Sequence, residues 1–452
     1  MTTLELLHWN DVHGHFDGLA RLSARAREIR ATAPHPVLLL DGGDVEDTSV
    51  RLSALTFGVA GWRALGAAGV DAAVVGNGGL LRYGPDQLPA YAKALGSAPL
   101  VCDLEIDGAT PDGAAPSTIL DAGDLRVGIV GITDYYAQYD SFGIRERGRV
   151  TAVHNEAQAL RAAGVDVVLV LSHAGINHDR GLSWSVRGLV DLIVGGHTHD
   201  LLTEGDLGQG TPIAQAGWNA EHLGRITLEV DEDGVRVVDM RLEAVPESAP
   251  GDPVVLAELE ACDHDLDAWL DEPVAWLPDP VPHSDTVDSA VAALTAEALL
   301  ARRPGDIGVL MAAHCRAGLP AGTVTRRDVW AATSSPGNLA TATLTGAQVR
   351  AMVRRGLSEE FATTRARTFR GLPYGRLGVV GVDVDGDRVL VGDELLDDAR
   401  AYAVTGSDLE LSTYGTLVEQ RPDDLVVHAP AILPEILEAY LRDHFPVPSH
   451  AG

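Results

Sequence analysis

The sequence is poor in cysteine, lysine and aromatic residues. Its three cysteines, Cys102, Cys262 and Cys315, lie far apart and form no CxxC pair. This spacing excludes a disulfide framework and a thiolate zinc site as the basis of the fold. Aromatic residues make up 5% of the 452 positions, and Lys93 is the only lysine. Because arginine supplies every other basic side chain, the missing lysine indicates a compositional bias, not a function.

Positive charge is also scarce, with 34 basic against 65 acidic side chains and a formal net charge of −31. This balance disfavours nucleic acid and anionic membrane surfaces as partners, and any phosphate that binds must meet a local positive charge such as a metal ion. No apolar run approaches the length of a membrane span, and the start MTTLELLHWNDVHGH lacks the pattern of a secretory signal. We therefore expect a soluble, cytoplasmic protein with no membrane partner.

The pattern of the first half predicts a layered α/β domain. A chain of 452 residues is too long for one compact core, so two domains are expected. Helix-like segments, including residues 19–31 and 52–68, alternate with short β-rich runs, which favours α/β layers. A turn at 231–234 predicts a closing hairpin. The β-rich runs are LELLHW, PVLLLD, DAAVVG, LRVGIVGI, DVVLVLSH and VDLIVGGH.

A segment rich in proline, glycine and acid, PESAPGDP, follows this half and is typical of a domain boundary. We predict a first domain at 1–248, a linker and connecting helix at 249–272, and a second domain at 273–452. The second domain should contain a helix at 287–302, strands within GVVGVDVDGDRVLV and a last helix at 432–442.

Polar side chains that can bind metal stand where the β-rich runs of the first half end. In an open α/β sheet, ligand sites form at the carboxyl ends of the strands. Two divalent cations about 3.5–4 Å apart need a bridging carboxylate and a shell of imidazole, carboxylate and amide oxygen. The side chains are Asp11 and His13, Asp44 of DGGD, Asn77, His173, and His197 and His199 of GGHTH.

Each of these motifs has a simpler interpretation when it is taken alone. DVH is commonly a solvated loop, DGGD and Asn-Gly are common turns, and a single histidine after a strand is usually a hydrogen-bonded core residue. GGHTH is more specific, because two histidines two positions apart after a buried strand have few structural uses. Taken together and in this order, the motifs predict a dinuclear metal centre.

These five motifs resemble those of the calcineurin-like metallophosphoesterases, and their order and the two-domain length are similar to the bacterial 5′-nucleotidase branch. The resemblance implies a four-layer αββα catalytic domain followed by an α+β C-terminal substrate-binding domain. It also implies two divalent metal ions, Mn²⁺ first, with Zn²⁺, Fe²⁺, Co²⁺ or Mg²⁺ as alternatives. The bridging ligand would be Asp44. Asp11, His13 and His199 would hold one ion, and Asn77, His173 and His197 the other.

The stretch after Asn77 departs from the family pattern. The family has a histidine after this asparagine and an aspartate shortly afterwards, and the two form a dyad that helps the leaving group. Here Gly78 takes the histidine position, and the aspartate position falls on Leu81 or Arg82. We expect Arg82 either to supply positive charge at the site or to be a solvated surface residue.

The second domain departs from the family as well. In HCRAGLPAGTVT, Arg316 matches the family arginine that contacts substrate, and Asn338 keeps the asparagine of a family P-F-G-N motif whose aromatic residue is missing here. The glycine-rich aromatic segment near the end of the family is represented only by Tyr414. Arg316 and Asn338 are therefore predicted substrate-binding residues, with a structural role as the alternative for each.

The resemblance implies a phosphoester hydrolase, similar to 5′-nucleotidases, in which a hydroxide bridging the metals attacks phosphorus and Asp44 and Asn77 serve catalysis. The partner would be a small-molecule phosphate ester, with nucleotides as one class. The missing dyad and aromatics leave two alternatives. One is the same scaffold hydrolysing a different ester, either a cyclic phosphodiester or a sulfur oxyanion ester. The other is a non-catalytic descendant that binds metal and a phosphorylated ligand.

Overall fold

The computed structural model describes residues 1–452 apart from 49, 209, 285–286, 334, 336, 366–372, 387, 414–415 and 449–452. The chain divides into two compact units, Met1–Leu266 and Asp267–Gly452. Within the described ranges, no helix combines the length and the apolar character that crossing a membrane requires.

The first unit contains two five-stranded sheets. The first sheet has the order β12-β11-β1-β2-β3, with β1, β2 and β3 parallel, and the second has the order β10-β9-β8-β6-β5, with only β5 antiparallel to its neighbour. A short pair, β4 and β7, lies outside both sheets. The strands are β1 Thr2–Trp9, β2 Val37–Asp41, β3 Ala72–Ala73, β4 Leu104–Ile106, β5 Ser117–Ala122, β6 Leu125–Thr133, β7 Ile144–Glu146, β8 Val167–His173, β9 Leu192–Val194, β10 Ile213–Ala214, β11 His222–Asp231 and β12 Gly234–Ala244.

Helices cover the outer faces of these sheets, which gives four αββα layers. Alternate residues of β1 show why: Leu4 and Leu6 point into the core between the sheets, whereas Leu7 and Trp9 pack with α1, α3 and α5. The second sheet packs its other face on α6 and α7. The helices are α1 Phe16–Thr32, α2 Arg51–Leu55, α3 Val59–Ala68, α4 Asn77–Tyr83, α5 Leu88–Leu95, α6 Arg149–Ala162, α7 Ile176–Ser185 and, containing the division point, α8 Pro253–Leu270.

Two predicted elements differ from the observed ones. The helix expected over 52–68 is two helices, because Phe57 and Gly58 adopt left-handed φ values of 53° and 82° and break it. The strand expected in DAAVVG is shortened to β3, which is followed by a single bridge from Val74 to Leu100, and Asn77 begins helix α4. The hairpin at 231–234 is present as the antiparallel pair of β11 and β12.

The second unit is built on a mixed five-stranded sheet of order β17-β14-β21-β16-β22, with α9 packed against it. Its strands are β13 Pro273–Leu277, β14 Ile307–Met311, β15 Gly322–Thr325, β16 Asn338–Thr345, β17 Leu377–Val380, β18 Val382–Asp385, β19 Arg388–Val391, β20 Glu394–Leu395, β21 Ala401–Ser407 and β22 Val426–Ile432. Its helices are α9 Ala290–Arg302, α10 Arg326–Ala332, α11 Gly346–Gly356, α12 Glu359–Thr363 and α13 Leu433–His444.

The buried imidazole of His8 in β1 should make folding stability sensitive to acid. His8 is 1% exposed, and burial lowers its pKa from 6.5 to about 4. Between these two pH values His8 is protonated in the unfolded chain and neutral in the folded chain. The stability contributed by the neutral, buried His8 is therefore complete above pH 6.5 and is lost as the pH falls towards 4.

We expect the wild type to lose about 2 kcal/mol of unfolding free energy between pH 7 and pH 5 relative to a His8→Asn variant. Urea unfolding of both proteins at the two pH values measures the difference. Buried carboxyl groups such as Asp179, whose pKa burial raises to about 7, act in the opposite direction in both proteins and cancel. Equal pH dependence of the two proteins would contradict the assignment to His8.

Candidate metal centre

The seven predicted ligand residues come from both sheets of the first unit. Parallel strands of each sheet end at a common edge, and the segments that follow them carry the side chains. The first sheet supplies Asp11 and His13 after β1, Asp44 after β2 and Asn77 at the start of α4. The second sheet supplies His173 as the last residue of β8, and His197 and His199 after β9.

One group of these side chains consists of Asp11, His13 and His199, whose ligand atoms all lie within 4.8 Å of one another. Asp11 Oδ1 is 3.6 Å from His13 Nε2 and 3.4 Å from His199 Nε2. The two Nε2 atoms are 3.1 Å apart. Three ligand atoms thus converge on one small volume, which is the arrangement a bound cation requires.

A second group consists of Asp11, Asp44 and His173. His173 Nε2 lies 3.3 Å from Asp44 Oδ2, 3.9 Å from Asp11 Oδ1 and 3.2 Å from Asn77 Oδ1. The ring of His197 is next to that of His173, with centroids 5.2 Å apart. Asp11 is common to both groups, whereas the bridging role of Asp44 stays a prediction.

The donor atoms of these groups fit a cation. Asp11 Oδ1 is buried, and no hydrogen-bond partner for it exists in the part of the chain that the structure describes, although Asp11 Oδ2 accepts bonds from Asn10 Nδ2 and the backbone N–H of His197. His173 Nδ1 donates to the carbonyl of Gly42 at 2.6 Å, which leaves Nε2 free of that proton and directed at the carboxylates. An orphaned carboxylate oxygen and a fixed imidazole tautomer are features of a metal site.

The backbone at these ligands is strained. Left-handed φ values, uncommon outside glycine, cost about 1–3 kcal/mol each and persist where the surrounding structure enforces them. Ten non-glycine residues among those described have positive φ, and five of them are predicted ligands. These five are Asp11, His13, Asp44, His197 and His199.

Two glycines leave room for the converging side chains. A Cβ atom on Gly76 would lie 2.1 Å from Asp44 Oδ1 and 2.3 Å from the Asp44 backbone nitrogen. A Cβ on Gly196 would lie 2.6 Å from the carbonyl oxygen of Gly42, which itself holds His173. Neither position accepts a side chain unless the ligands move, so the glycines belong to the geometry of the site.

The buried charges of the site balance one another. Burial lowers the pKa of His173, but the carboxylates of Asp44 and Asp11 outweigh burial and raise it to about 10. Burial also opposes ionisation of Asp11 and Asp44, yet the positive charge of His173 holds the pKa of each carboxyl below its usual value. The carboxylates therefore place negative charge at His173 Nε2 that a bound metal ion would compensate, and binding of the ion would release the Nε2 proton.

A cleft of about 380 Å³ opens beside these ligands. Arg82 and Leu81 of α4 line it together with Gly78, whose N–H donates to Asp44 Oδ1 at 2.7 Å. The remaining lining residues are His13, Asp44, Glu46, Asp47, Thr48 and Asn77. The structure thus places Arg82 at the cleft, and no imidazole stands at position 78.

The predicted substrate-binding residues lie in the second unit and contact its backbone. Arg316 is exposed, and its guanidinium donates to the carbonyl of Cys315 at 2.8 Å and to that of Ala313. Asn338 begins β16, and its Nδ2 donates to the carbonyls of Pro430 and Ala431 at 3.2 and 3.1 Å. These contacts stabilise the unit itself, and the substrate roles of Arg316 and Asn338 stay predictions. Tyr414 lies outside the described residues.

Two residues near the centre were absent from the sequence prediction. Asp134 Oδ2 lies 3.6 Å from His197 Nε2, and Asp134 directly follows β6, so the strand-end signal that marked the other ligands was also available for it. Trp218 stacks on His199, with ring centroids 4.7 Å apart and planes 21° apart. No local pattern marked Trp218, because this contact forms only in the folded chain.

Known protein families match most of the chain. The family model described as calcineurin-like phosphoesterase matches residues 4–201, and the model for the 5′-nucleotidase C-terminal domain matches residues 277–416. The uncharacterized metallophosphoesterase YunD of Bacillus subtilis is 24% identical over 417 residues, which cover 90% of this chain and 89% of that protein. The chain spans about half the length of the mammalian 5′-nucleotidases that it matches.

Solved structures share the fold over nearly the whole chain. The NAD nucleotidase of Haemophilus influenzae superimposes with a TM-score of 0.60 at 15% identity, covering 99% of this chain and 98% of that one. The sulfate thiohydrolase SoxB of Thermus thermophilus gives a TM-score of 0.52 at 21% identity, covering 98% and 94%. At these identities the likeness shows the fold alone.

Proposed function

The chain belongs to the calcineurin-like metallophosphoesterases that carry a 5′-nucleotidase C-terminal domain, and on that premise we propose that this hydrolase binds two divalent cations in its first unit and cleaves phosphate esters with good leaving groups. The observation that carries the proposal is the pair of ligand groups that share the buried Asp11. Manganese is the proposed ion, because imidazole, carboxylate and amide oxygen together suit it.

The proposed division of the ligands follows the motif order. Asp11, His13 and His199 would hold the first ion, and His173, Asn77 and His197 the second, with Asp44 contributing next to His173; the proximity of these side chains supports this division. When bound, two such ions supply positive charge for phosphoryl oxygens and lower the pKa of water between them. Asn77 adds a neutral oxygen, which limits the negative charge that the buried site has to compensate.

The cleft residues define what the chain itself does to the substrate. Arg82 supplies the cationic side chain of the cleft, where it would bind phosphoryl oxygens. Gly78 offers only its N–H, which orients the Asp44 carboxylate. Because no side chain at position 78 donates a proton to the leaving group, esters whose leaving group departs without a proton are favoured.

A second candidate is a sulfur oxyanion ester. SoxB, one of the structures with this fold, is named as a sulfate thiohydrolase, and Gly78, which has no side chain to donate a proton, is compatible with a thiol leaving group, which needs little protonation. S-sulfocysteine is a suitable probe of this candidate.

The test compares turnover of bis-p-nitrophenyl phosphate, p-nitrophenyl phosphate, AMP and S-sulfocysteine by chelator-treated protein before and after Mn²⁺ is added. We expect activity only with Mn²⁺, and kcat/KM for the nitrophenyl esters about 10²-fold or more above that for AMP, since a general acid contributes about 10²–10⁴-fold.

Three results would revise the proposal. AMP turnover equal to that of the nitrophenyl esters would mean that another residue protonates the leaving group. Dominant turnover of S-sulfocysteine would favour the second candidate. Bound Mn²⁺, measured by electron paramagnetic resonance, without turnover of any ester would identify a binding protein and overturn hydrolysis of these substrates.

A further inference from the structure

An exposed tryptophan stands at the metal centre. Trp218 is 45% exposed although its indole stacks on the ring of His199, one of the three side chains of the first ligand group. An exposed aromatic ring beside such a site is available to contact a bound molecule through its apolar face.

The loop that carries Trp218 is fixed to the segment that carries Asp11. The side chain of Asn10 binds the two residues before Trp218, donating to the carbonyl of Gly217 at 2.6 Å and accepting from the N–H of Ala216 at 2.9 Å. The N–H of Asn219 donates to the carbonyl of Asp11 at 2.8 Å. The position of Trp218 relative to the ligands is therefore set by the residues that place Asp11.

A second exposed apolar side chain lies beside this loop. Leu201 is 49% exposed, and its segment pairs with the loop through the Leu201–Ala216 bridge and the bond from Gly217 N–H to the Asp200 carbonyl at 3.0 Å. A Cβ built on Gly217 would lie 3.0 Å from Leu201 Cδ1. We name Trp218 and Leu201 the apolar wall. The cleft of Arg82 is lined by other residues.

We propose that the apolar wall is a leaving-group subsite on which the aromatic ring of a phosphate ester stacks against Trp218. The substrate class is then a phosphate ester that carries a planar aromatic ring, either a nucleobase or another aryl group. This inference rests on the proposed function, because it places the phosphoryl group at the ligands of the same unit. Stacking of a ring on an aromatic side chain stabilises a complex by amounts that correspond to about tenfold in affinity.

The alternative role for Trp218 is structural, in which it only supports the ring of His199. A structural role predicts that replacing Trp218 weakens metal binding and affects all ligands equally, whatever group they carry. The stacking role predicts a selective loss for ligands with an aromatic ring. The test therefore needs ligand pairs that differ only in the ring.

The experiment measures, by titration calorimetry on the Mn²⁺-loaded full chain, the Kd values of phenylphosphonate and methylphosphonate, which need no turnover. We expect wild type to bind phenylphosphonate about tenfold tighter, Trp218→Leu to reduce this ratio to near one, and Trp218→Phe to keep most of it. Trp184→Leu is the matched control, since Trp184 is 58% exposed on α7, and it should leave the ratio unchanged.

Electron paramagnetic resonance of bound Mn²⁺ in each variant shows whether the ligand groups are intact. A kcat/KM ratio of AMP to ribose 5-phosphate that falls in Trp218→Leu would identify the ring as a nucleobase. If Trp218→Leu loses the preference for phenylphosphonate but keeps the kcat/KM ratio of AMP to ribose 5-phosphate, the ring is another aryl group.

The proposal is overturned if wild type binds neither phosphonate, if Trp218→Leu keeps the tenfold ratio, or if it weakens Mn²⁺ and both phosphonates in equal proportion. Failure of the proposed function would appear differently, as phosphonate binding without turnover of any ester.

Discussion

Replacement of Asp44 by Asn is expected to lower metal-dependent kcat/KM by roughly 10³-fold or more, since loss of residues behind metal ligands already costs about 10–100-fold and Asp44 lies at the ligand groups themselves. The substitution removes the negative charge opposite His173 Nε2, 3.3 Å away, and keeps the shape of the side chain. Mn²⁺ affinity should fall with the turnover. Mn²⁺ binding by electron paramagnetic resonance and p-nitrophenyl ester hydrolysis measure the two effects.

Asp86→Asn is the matched control for Asp44→Asn. Asp86 is an exposed carboxylate of the same unit, in a short 3₁₀ turn after α4, and its replacement changes the net charge by the same amount. We expect no change in Mn²⁺ affinity or turnover for this variant. Retention of most activity by Asp44→Asn would show that Asp44 is not a ligand, and would leave Asp11 as the carboxylate that the two groups share.

Ala at Gly76 should remove activity without introducing any charge. The added Cβ would lie 2.1 Å from Asp44 Oδ1 and 2.3 Å from its backbone nitrogen, and backbone atoms cannot move away as a flexible side chain can. The φ of −81° at Gly76 is acceptable for alanine, so the cost is steric. We expect a loss of about 2–3 kcal/mol in unfolding free energy and a fall of at least about tenfold in Mn²⁺ affinity.

Gly181→Ala is the control for this steric argument, and we expect it to change the unfolding free energy in the opposite direction. Gly181 is exposed within α7, and nothing lies within 4 Å of its added Cβ. Alanine there should raise the unfolding free energy by about 0.5–1 kcal/mol, because it lowers the backbone entropy of the unfolded chain. Urea unfolding of both variants measures the pair. A Gly76→Ala protein as stable and active as wild type would contradict the steric account of the ligand geometry.

The sequence predicted the layered fold and the strand-end side chains because both depend on short-range patterns. A run such as DVVLVLSH is buried on both faces, and its last residue, His173, must then stand at the edge of the sheet. The same reasoning applies to Asp134, which the prediction omitted although it follows β6 directly.

Other features needed the folded chain. The break between α2 and α3 arises from left-handed backbone at Phe57 and Gly58, which a helix-like composition conceals. The stacking of Trp218 on His199 joins residues that only tertiary structure brings together. The family resemblance marked Asn338, but it could not show that the side-chain amide binds the carbonyls of Pro430 and Ala431.

The origin of the ligands in two different sheets has a mechanical consequence. Asp11 follows β1 of the first sheet and His199 follows β9 of the second, so an ion that both residues held would be a cross-link between the sheets. Such a cross-link closes a chain loop that spans most of the first unit. Closing a long loop costs the unfolded chain conformational entropy, so the cross-link favours the folded unit. Ion binding should therefore join the two sheets into one cooperative unit, and removing the ion should let their shared edge open first.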